Sequence, residues 1–417
     1  MECVLKDLIA VSKDGEWGKG EPFDDSVEML AIRGTDFEDV RFGSTTSTPR
    51  RHIAKRHADR KLLQPWDVII EAAGGTKNQI TGRTVLLRPQ LFSRSELPFT
   101  CASFSRFIRF NTELCDPAFM FWYLQHLYAS GLMHAYHTQH TGVARFQWTT
   151  FSEREPLALP PLPVQRRIAG ILSAYDELMD NSQRRIRLLE AMARALYREW
   201  FVHFRFPGHE KHPRVASPLG EIPQGWEVKK LATVAEVNRA QINARTAPEE
   251  LHYIDISSVS PGQIDSITTY AFADAPGRAR RIIQHGDVLW SCVRPNRRSH
   301  AQVMHPEPNT IASTGFAVLT ATKVPFTFLY FATTTDDFVA FLTNNATGAA
   351  YPAVSGATFE KADLIIPPAP LLKNFGNATI PMVEQIHTLQ RQIQNLRRTR
   401  DLLLSRLLSG QVALITA

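Results

Sequence analysis

The chain has 417 residues, too many for one ordinary hydrophobic core, and this length predicts roughly two to four compact units. Hydrophobic residues make up 44% of the chain and charged residues 21%, a composition that excludes a disordered or fibrous protein. The 47 Lys plus Arg against 41 Asp plus Glu give a net charge of +6, which is compatible with nucleic-acid binding but too small to establish it.

The amino terminus has no basic region followed by an apolar segment, so no secretory signal is predicted. The most apolar later stretch, Ile311 to Tyr330, is interrupted by Lys323 and Pro325, which favours buried strands and a helix over a membrane span. No CxxC pair occurs among the four cysteines, which are Cys3, Cys101, Cys115 and Cys292. We therefore expect a cytoplasmic, soluble protein with reduced thiols and no membrane contact.

Residues 1–158 have the pattern of a mixed α/β globule. Aliphatic runs at 67–70 and 84–87 predict strands, and the aromatic stretch from Pro117 to about Tyr136 predicts a helix. Glycines in the segments 73–76 and 81–83 predict tight turns. A phosphate-binding loop is the less favoured interpretation of these glycines, because no Gly-Lys-Ser/Thr follows them.

A long helix is predicted from Val164 to about Phe204, and a second one follows residue 366. In both, apolar residues recur three and four apart, as in the seam of a coiled coil, and about 40 residues make a rod of roughly 60 Å. Ser182 and Arg185 interrupt the first seam and Arg400 the second; such groups either fix the register or are solvated where the helices separate. The predicted seam residues are Ile168, Ile171, Tyr175, Leu178, Leu189 and Leu196 on the first helix and Met382, Ile386, Ile393, Leu396, Leu403 and Leu407 on the second.

Between the helices, the segment from Phe206 to Trp226 is rich in Pro and Gly and predicts a linker or the entry to a domain. A second α/β globule is predicted from there to about Ile365. Its expected strands cover 253–256 and 287–290, and its expected helix covers 336–343.

The same pattern occurs twice in the chain, 207 residues apart. Leu-Pro-Pro-Leu at 159–162 corresponds to Ile-Pro-Pro-Ala at 366–369, and Tyr175 then corresponds to Met382. This spacing is too long for a solenoid repeat and predicts a duplicated globule-plus-helix unit. The predicted domains are 1–158, 159–206, 207–365 and 366–417. The predicted fold class is α+β, with two α/β globules at opposite ends of a long antiparallel two-helix coiled coil and pseudo-two-fold symmetry.

No familiar catalytic motif is found in the sequence. Gly-x-Ser-x-Gly, HExxH and the Rossmann glycine pattern are absent, and both Pro-Pro pairs follow Leu or Ile instead of the Asn or Asp of amino-methyltransferases. His134, His137 and His140 suggest a zinc site by their spacing, but they approach a helix end and have no neighbouring cysteine or paired carboxylate. We therefore predict a non-catalytic chain that holds no metal and no cofactor.

Basic residues cluster at related places in the two globules, within 50–61 and 278–298. Arginine binds phosphate and can donate two hydrogen bonds to guanine. Two such patches therefore suit a protein that recognises a DNA site in two parts. A solvated loop explains one patch equally well, and the recurrence favours DNA. The candidate DNA-binding residues are Arg50, Arg51, Lys55, Arg56, Lys77 and Arg83 in the first globule and Arg278, Arg280, Arg281, Arg294, Arg297 and Arg298 in the second.

Several segments together resemble the DNA-specificity subunit of type I restriction-modification systems. They are the motif AIRGTD at 31–36, residues 67–83, LPPLPVQRRIAGIL at 159–172, SPLGEIPQGWEV at 217–228, and LLLSRLLSGQV near the end. The chain departs from the family at Trp66, where a glycine is usual before Asp67, and after both Pro-Pro pairs, where the family usually has Glu-Gln.

The resemblance implies two target-recognition domains that each read one half of a bipartite asymmetric site in double-stranded DNA, with the helices as spacer. It also implies two methyltransferase subunits that use S-adenosylmethionine to methylate adenine, and restriction/translocase subunits that use ATP and Mg²⁺. A coiled-coil scaffold for protein partners with incidental basic loops is the alternative. The specificity part of a single-chain restriction enzyme is a third interpretation, which would require a catalytic domain.

Overall fold

The computed structural model describes residues 2–74, 79–139, 142–243, 245–348 and 350–411. The chain forms two compact units. The first consists of the residues up to Arg184 together with those from Arg391 onward, and the second runs from Arg185 to Gln390. Each long helix contributes one segment to each unit.

The first unit is an α/β globule with twelve strands among its described residues. Its helices are α1 (Phe37–Arg41), α2 (Lys55–Lys61), α3 (Pro89–Ser93), α4 (Pro117–Ala129), α5 (Trp148–Arg154) and the first part of α6 (Leu162–Tyr197). Its strands are β1 (Glu2–Val4), β2 (Ile9–Asp14), β3 (Ser26–Ile32), β4 (Arg50–Ala54), β5 (Val68–Glu71), β6 (Ala73–Gly74), β7 (Thr84–Leu86), β8 (Phe99–Cys101), β9 (Ser105–Phe110), β10 (His137–Thr138), β11 (Ala144–Phe146) and β12 (Pro156–Ala158).

The second unit begins with the end of α6, which continues as a π-helical turn over Arg198–Val202. Its strands are β13 (Arg214–Ser217), β14 (Gly220–Pro223), β15 (Glu227–Lys230), β16 (Ala235–Val237), β17 (Glu250–Ile254), β18 (Val259–Ser260), β19 (Gln263–Ile264), β20 (Thr268–Ala271), β21 (Ala279–Ile282), β22 (Val288–Ser291), β23 (His300–Gln302), β24 (Thr310–Ser313), β25 (Phe316–Ala321) and β26 (Asp363–Ile366). Its helices are α7 (Phe326–Thr333), α8 (Asp336–Asn344), α9 (Gly356–Glu360) and the first part of α10 (Ala369–Leu408).

The sheets confirm the duplication that the sequence predicts. The order β2-β9-β5-β7 in the first unit corresponds to β16-β25-β22-β23 in the second, and both sheets are antiparallel. The parallel pair β3-β8 likewise corresponds to β17-β24, and the antiparallel pair β1-β12 to β15-β26. The two units thus share one backbone topology, although their side chains differ.

One turn shows this correspondence in detail. Trp66 N donates to Leu87 O at 2.7 Å and Leu87 N to Asp67 O at 2.9 Å; the second unit has the same pair from Gly286 to Val303 and from Val303 to Asp287, both 2.8 Å. Trp66 adopts φ +73° where Gly286 adopts +86°. The tryptophan therefore keeps the turn that glycine forms without strain, at the conformational cost of a positive φ.

Each unit has a buried carboxylate beside this turn, and the two carboxylates have different partners. Asp67 accepts from Gln64 N at 2.7 Å and from both the Nε and Nη2 of Arg109 at 2.8 Å. Asp287 accepts from Gln284 N at 2.8 Å and from the Thr320 hydroxyl at 2.7 Å. Burial raises the pKa of Asp287 above its ordinary range, and no described residue forms an ion pair with it that would offset the desolvation.

Matched substitutions should separate these two arrangements. Asp67→Asn breaks a largely buried ion pair and is expected to cost about 2–3 kcal/mol, less than a fully buried pair because Arg109 keeps some solvent. Asp287→Asn should cost less than about 1 kcal/mol, because the Thr320 hydroxyl can turn to accept from the new amide. Amide hydrogen exchange in β5 and β22 of the full chain measures both local stabilities. Equal losses in the two strands would contradict this account.

Most local predictions agree with the elements of the structure. The runs at 67–70, 84–87 and 287–290 fall on β5, β7 and β22, and Ile311 to Tyr330 forms buried strands and part of a helix. The run at 253–256 is only half strand, because β17 ends at Ile254 and Asp255 caps a 3₁₀ turn. The helix predicted from Pro117 to Tyr136 is interrupted: α4 ends near Ala129, Gly131 takes φ +82°, and a 3₁₀ turn follows. A glycine in the left-handed region is a common helix stop. No described helix has an apolar stretch that could cross a bilayer.

The long helices bury a stripe that is shifted from the predicted seam at one point. Leu178 is 49% exposed, whereas Met179, one residue on, is fully buried, so the assignment of Leu178 to the seam is wrong. One residue turns a helix by about 100°, enough to exchange a buried for an exposed position. Of the predicted seam residues, Ile168 and Leu407 are buried and the others, apart from Leu178, are partly buried.

A buried charge cluster links the first globule to both helices within the first unit. Asp176 of α6 is inaccessible to solvent and accepts from Arg400 Nη1 of α10 at 2.6 Å, Arg41 Nε at 2.8 Å and Arg88 Nη2 at 3.1 Å. Arg41 and Arg400 also lie over the Trp122 ring. Burial opposes ionisation of Asp176, but the three guanidinium groups outweigh it and hold its pKa below the ordinary range. We call these residues the Asp176 cluster.

Candidate nucleic-acid interface

The loop between β22 and β23 presents arginines on a constrained backbone. Arg294 and Arg298 adopt φ of +51° and +57° on either side of the 3₁₀ turn Pro295–Arg297. Arg298 forms an ion pair with Asp336 at the start of α8, and the Arg294 guanidinium lies 4.8 Å from the centre of the Tyr351 ring. Left-handed backbone at non-glycine residues costs roughly 1–3 kcal/mol each, so these contacts hold a strained loop in one shape.

Arg297 lies between these two anchored arginines. Its side chain is exposed, and within the part of the chain that the structure describes no carboxylate lies within ion-pair distance of it. A free guanidinium on a fixed loop is suited to phosphate or to a base edge, because little conformational entropy is lost on binding. Of the three candidates in this loop, Arg297 is the one available to a ligand, while Arg294 and Arg298 shape the loop.

A second basic segment of this unit, which contains Arg278, lies beside the β22–β23 loop. Thr314 N donates to Arg278 O and Cys292 N donates to Gly315 O, both at 2.8 Å, which places Arg278 and the start of the β22–β23 loop at adjoining backbone positions. Arg278 is exposed, whereas the Arg280 guanidinium is stacked over Phe272. Arg281 is half-buried, and its Nε has no hydrogen-bond partner among the described residues.

The basic residues of the first globule likewise divide into some that are held by contacts within the fold and some that are exposed. Arg51 donates to Trp17 O at 3.0 Å and stacks 4.4 Å from the Trp17 ring, so it closes a local turn. Arg50 is exposed, with Glu28 at 3.7 Å. Lys55 and Arg56 begin α2 and are exposed, without an ion pair to any described residue. Among the candidate DNA-binding residues of the segment 50–61, these last two are the available cations.

Arg83 has a structural position that conflicts with a direct DNA contact. Its Nε and Nη2 donate to the two carboxylate oxygens of Glu71 at 2.9 and 2.8 Å, and these bonds raise the pKa of Arg83. Glu71 is buried, so breaking the bidentate pair would leave an uncompensated charge. The pair closes the base of the loop between β5 and β7. Lys77 of this loop lies outside the described residues.

Sequence reasoning missed the groups that hold the arginine loop of the second unit. Asp336 and Tyr351 lie 38 and 57 residues from their partners Arg298 and Arg294, and no local pattern links them. The three histidines weighed as a metal site do not share a helical face: His134 is in a 3₁₀ turn, and His137 is in β10 with its Nδ1 3.0 Å from the Thr81 hydroxyl. His140 lies outside the described residues.

Comparison with known proteins identifies relatives of one kind, although no protein-family model matches the chain. A type I restriction enzyme specificity subunit, MjaIX of Methanocaldococcus jannaschii, is 24% identical over 304 residues, which is 70% of this chain and 68% of the relative. The MjaVIII specificity subunit of the same organism is 33% identical over 100 residues, covering 24% of this chain and 23% of the relative.

A solved structure gives independent evidence for the fold. The S subunit of a type I restriction-modification system from M. genitalium superimposes with a TM-score of 0.60 at 14% sequence identity, over 98% of this chain and 95% of that one. At this identity the likeness concerns the fold alone. Together with the sequence relatives, it confirms the resemblance to specificity subunits that the motifs indicate.

Proposed function

We propose that this chain, a relative of the type I restriction enzyme specificity subunits, is the non-catalytic subunit that gives such a complex its DNA sequence specificity. Each globule would read one half of a bipartite asymmetric site in double-stranded DNA. The observation that carries the proposal is the duplication: β5–β7 and β22–β23 share one hydrogen-bonded framework. Each unit also presents exposed basic residues, which are Lys55 and Arg56 in the first and Arg278 and Arg297 in the second. Two copies of a reading unit suit a target with two separate parts.

The helices are proposed as an antiparallel coiled-coil spacer with the globules at its opposite ends. In the first unit, Ile168 and Leu172 of α6 share a core with Leu404 and Leu407 of α10. In the second, the end of α6 packs on the beginning of α10, with the Phe201 and Phe375 rings 4.9 Å apart. Helices that pack in this way can hold two reading units at a set separation, and half-sites must then match that distance and helical phase.

The proposed partners follow from the same relationship. Two methyltransferase subunits would bind S-adenosylmethionine and methylate adenine, and restriction/translocase subunits would use ATP and Mg²⁺. The chain itself would hold none of these cofactors. We expect the complex in the cytoplasm, where DNA and these cofactors are found.

A genome-wide map of N6-methyladenine tests the proposal. Co-expressing the chain with a partner methyltransferase subunit should produce methylation at one two-part motif with a fixed gap. The specificity subunit selects the site, so deleting the chain should abolish that pattern. Methylation that is unchanged by the deletion would instead favour the protein scaffold.

A pair of charge-removing variants sharpens the test. Arg297→Ala should weaken DNA binding by the assembled complex and, if this arginine contacts phosphate, reduce the slope of log affinity against log salt by about one. Lys361→Ala removes an exposed positive charge at the end of α9 and serves as the control. Equal binding and equal salt slopes in wild type, Arg297→Ala and Lys361→Ala would remove Arg297 from the interface.

A further inference from the structure

Two histidines and a glutamate come together in the second unit at the end of the β22–β23 hairpin opposite the arginine loop. His285 precedes β22, His305 follows β23, and Glu384 is on α10. The Glu384 carboxylate lies 2.8 Å from His305 Nε2 and 3.6 Å from His285 Nε2. One ligand atom from each residue lies within 4.8 Å of the other two, so that small side-chain movements bring all three to the roughly 2 Å ligand distance of one zinc ion.

The backbone holds the two histidines side by side. The paired bonds between Gly286, Val303 and Asp287 join the segments on which they lie, and the two imidazole rings are 4.3 Å apart. His305 also adopts a φ of +45°, a region that non-glycine residues rarely occupy. Strained backbone at a cluster of ligating side chains is a feature of functional sites.

The fold itself does not require this histidine pair. In the first unit, Trp66 and Leu87 make the hydrogen bonds that Gly286 and Val303 make in the second, so Pro65 and Pro89 correspond to His285 and His305. The repeat of 207 residues matches Glu384 with Glu177. The same turn therefore folds with prolines in one unit, and the histidines of the other unit call for a different explanation.

We propose that His285, His305 and Glu384 bind a zinc ion that links the open end of the β22–β23 hairpin to α10. Two imidazoles and a carboxylate form a known zinc donor set, with a fourth position left for water. Zinc would bind the Nε2 lone pair of each neutral imidazole, in the tautomer that carries the single ring proton on Nδ1. The long 3.3 Å contact from His305 N to His285 Nδ1 then opens, since that nitrogen has become a donor.

Zinc titration of the chelator-treated full chain tests this site. Calorimetry should show one ion bound per chain at this site, and Co²⁺ in its place should give a visible absorption band. His305→Ala and Glu384→Gln should each weaken binding by at least about tenfold, as loss of a ligand must exceed the roughly 10–100-fold cost of losing an outer-shell partner. His203→Ala, an exposed histidine outside the cluster, is the matched control and should bind as wild type does.

Hydrogen exchange gives a second readout that does not depend on DNA or on partner subunits. Zinc should slow amide exchange in α10 around Glu384 in the wild type and leave it unchanged in Glu384→Gln, which keeps the side-chain volume. Wild type and both cluster variants binding zinc with equal affinity would overturn the proposal, as would the absence of zinc binding by the wild type. Neither result bears on whether the chain selects DNA sites.

Discussion

Asp176→Asn is expected to lower the free energy of unfolding of the first unit by about 3–5 kcal/mol, the cost of removing one partner from a buried ion pair. The change leaves Arg41, Arg88 and Arg400 together without their shared anion, and their side chains are only 9–16% exposed. Hydrogen exchange of α6 and α4 in the full chain measures the loss. Asp401 provides the control, because its exposed carboxylate also accepts from the Arg400 guanidinium. Asp401→Asn should cost less than about 1 kcal/mol.

Acid should reduce the difference between wild type and Asp176→Asn. The folded-state pKa of Asp176 is lowered, so its stabilising contribution is complete above the unfolded-state pKa, near 4, and is lost as the pH falls from there through the folded-state pKa. The variant has no such contribution to lose. A difference that stays constant from pH 7 to well below pH 4, or a loss no larger than that of Asp401→Asn, would contradict the role given to the cluster.

Lengthening both helices by four residues, after Arg184 and after Gln390, is expected to widen the gap of the methylated motif by about two base pairs. Four residues add about 6 Å and slightly more than one helical turn, so the buried stripe stays nearly in phase. Base pairs are spaced about 3.4 Å apart. The two half-site sequences should not change, because neither globule is altered. Methylation mapping with the co-expressed methyltransferase measures both properties.

An insertion of two residues at the same points is the matched control. It rotates each following helix segment by about 200°, which moves the buried stripe toward solvent. We expect this variant to lose site-selective methylation. An unchanged gap in the four-residue variant, with methylation retained, would show that the helices do not set the spacing.

Local sequence patterns predict much of this fold. The strands β5 and β22 lie where aliphatic runs occur, and the two long helices follow the two Pro-Pro pairs, because these signals depend on neighbouring residues alone. Local apolarity does not separate Leu178 from Met179, since both are apolar and adjacent, but the repeat of 207 residues matches Met179 with the seam residue Ile386 and so indicates the buried position. Their burial is decided by which side of α6 meets the rest of the unit.

The roles of charged side chains were harder to predict than their positions. Arg83 and Arg297 both belong to basic loops, yet one is fixed by Glu71 and the other is free to bind. The cluster of His285, His305 and Glu384 spans 99 residues and depends on a tertiary contact with α10. Such sites can be recognised only from the fold, because no periodic sequence pattern indicates which loops approach one another.

The Asp176 cluster also makes the two halves of the duplication unequal. By the repeat of 207 residues, Asp176 corresponds to Val383 and Arg400 to Ala193, and both counterparts are buried apolar residues. If the first halves of two molecules paired with each other, Asp176 would meet Ala193 of the other copy and remain buried without Arg400. The mismatch disfavours pairing between two first halves, so that a first half is directed to a second half.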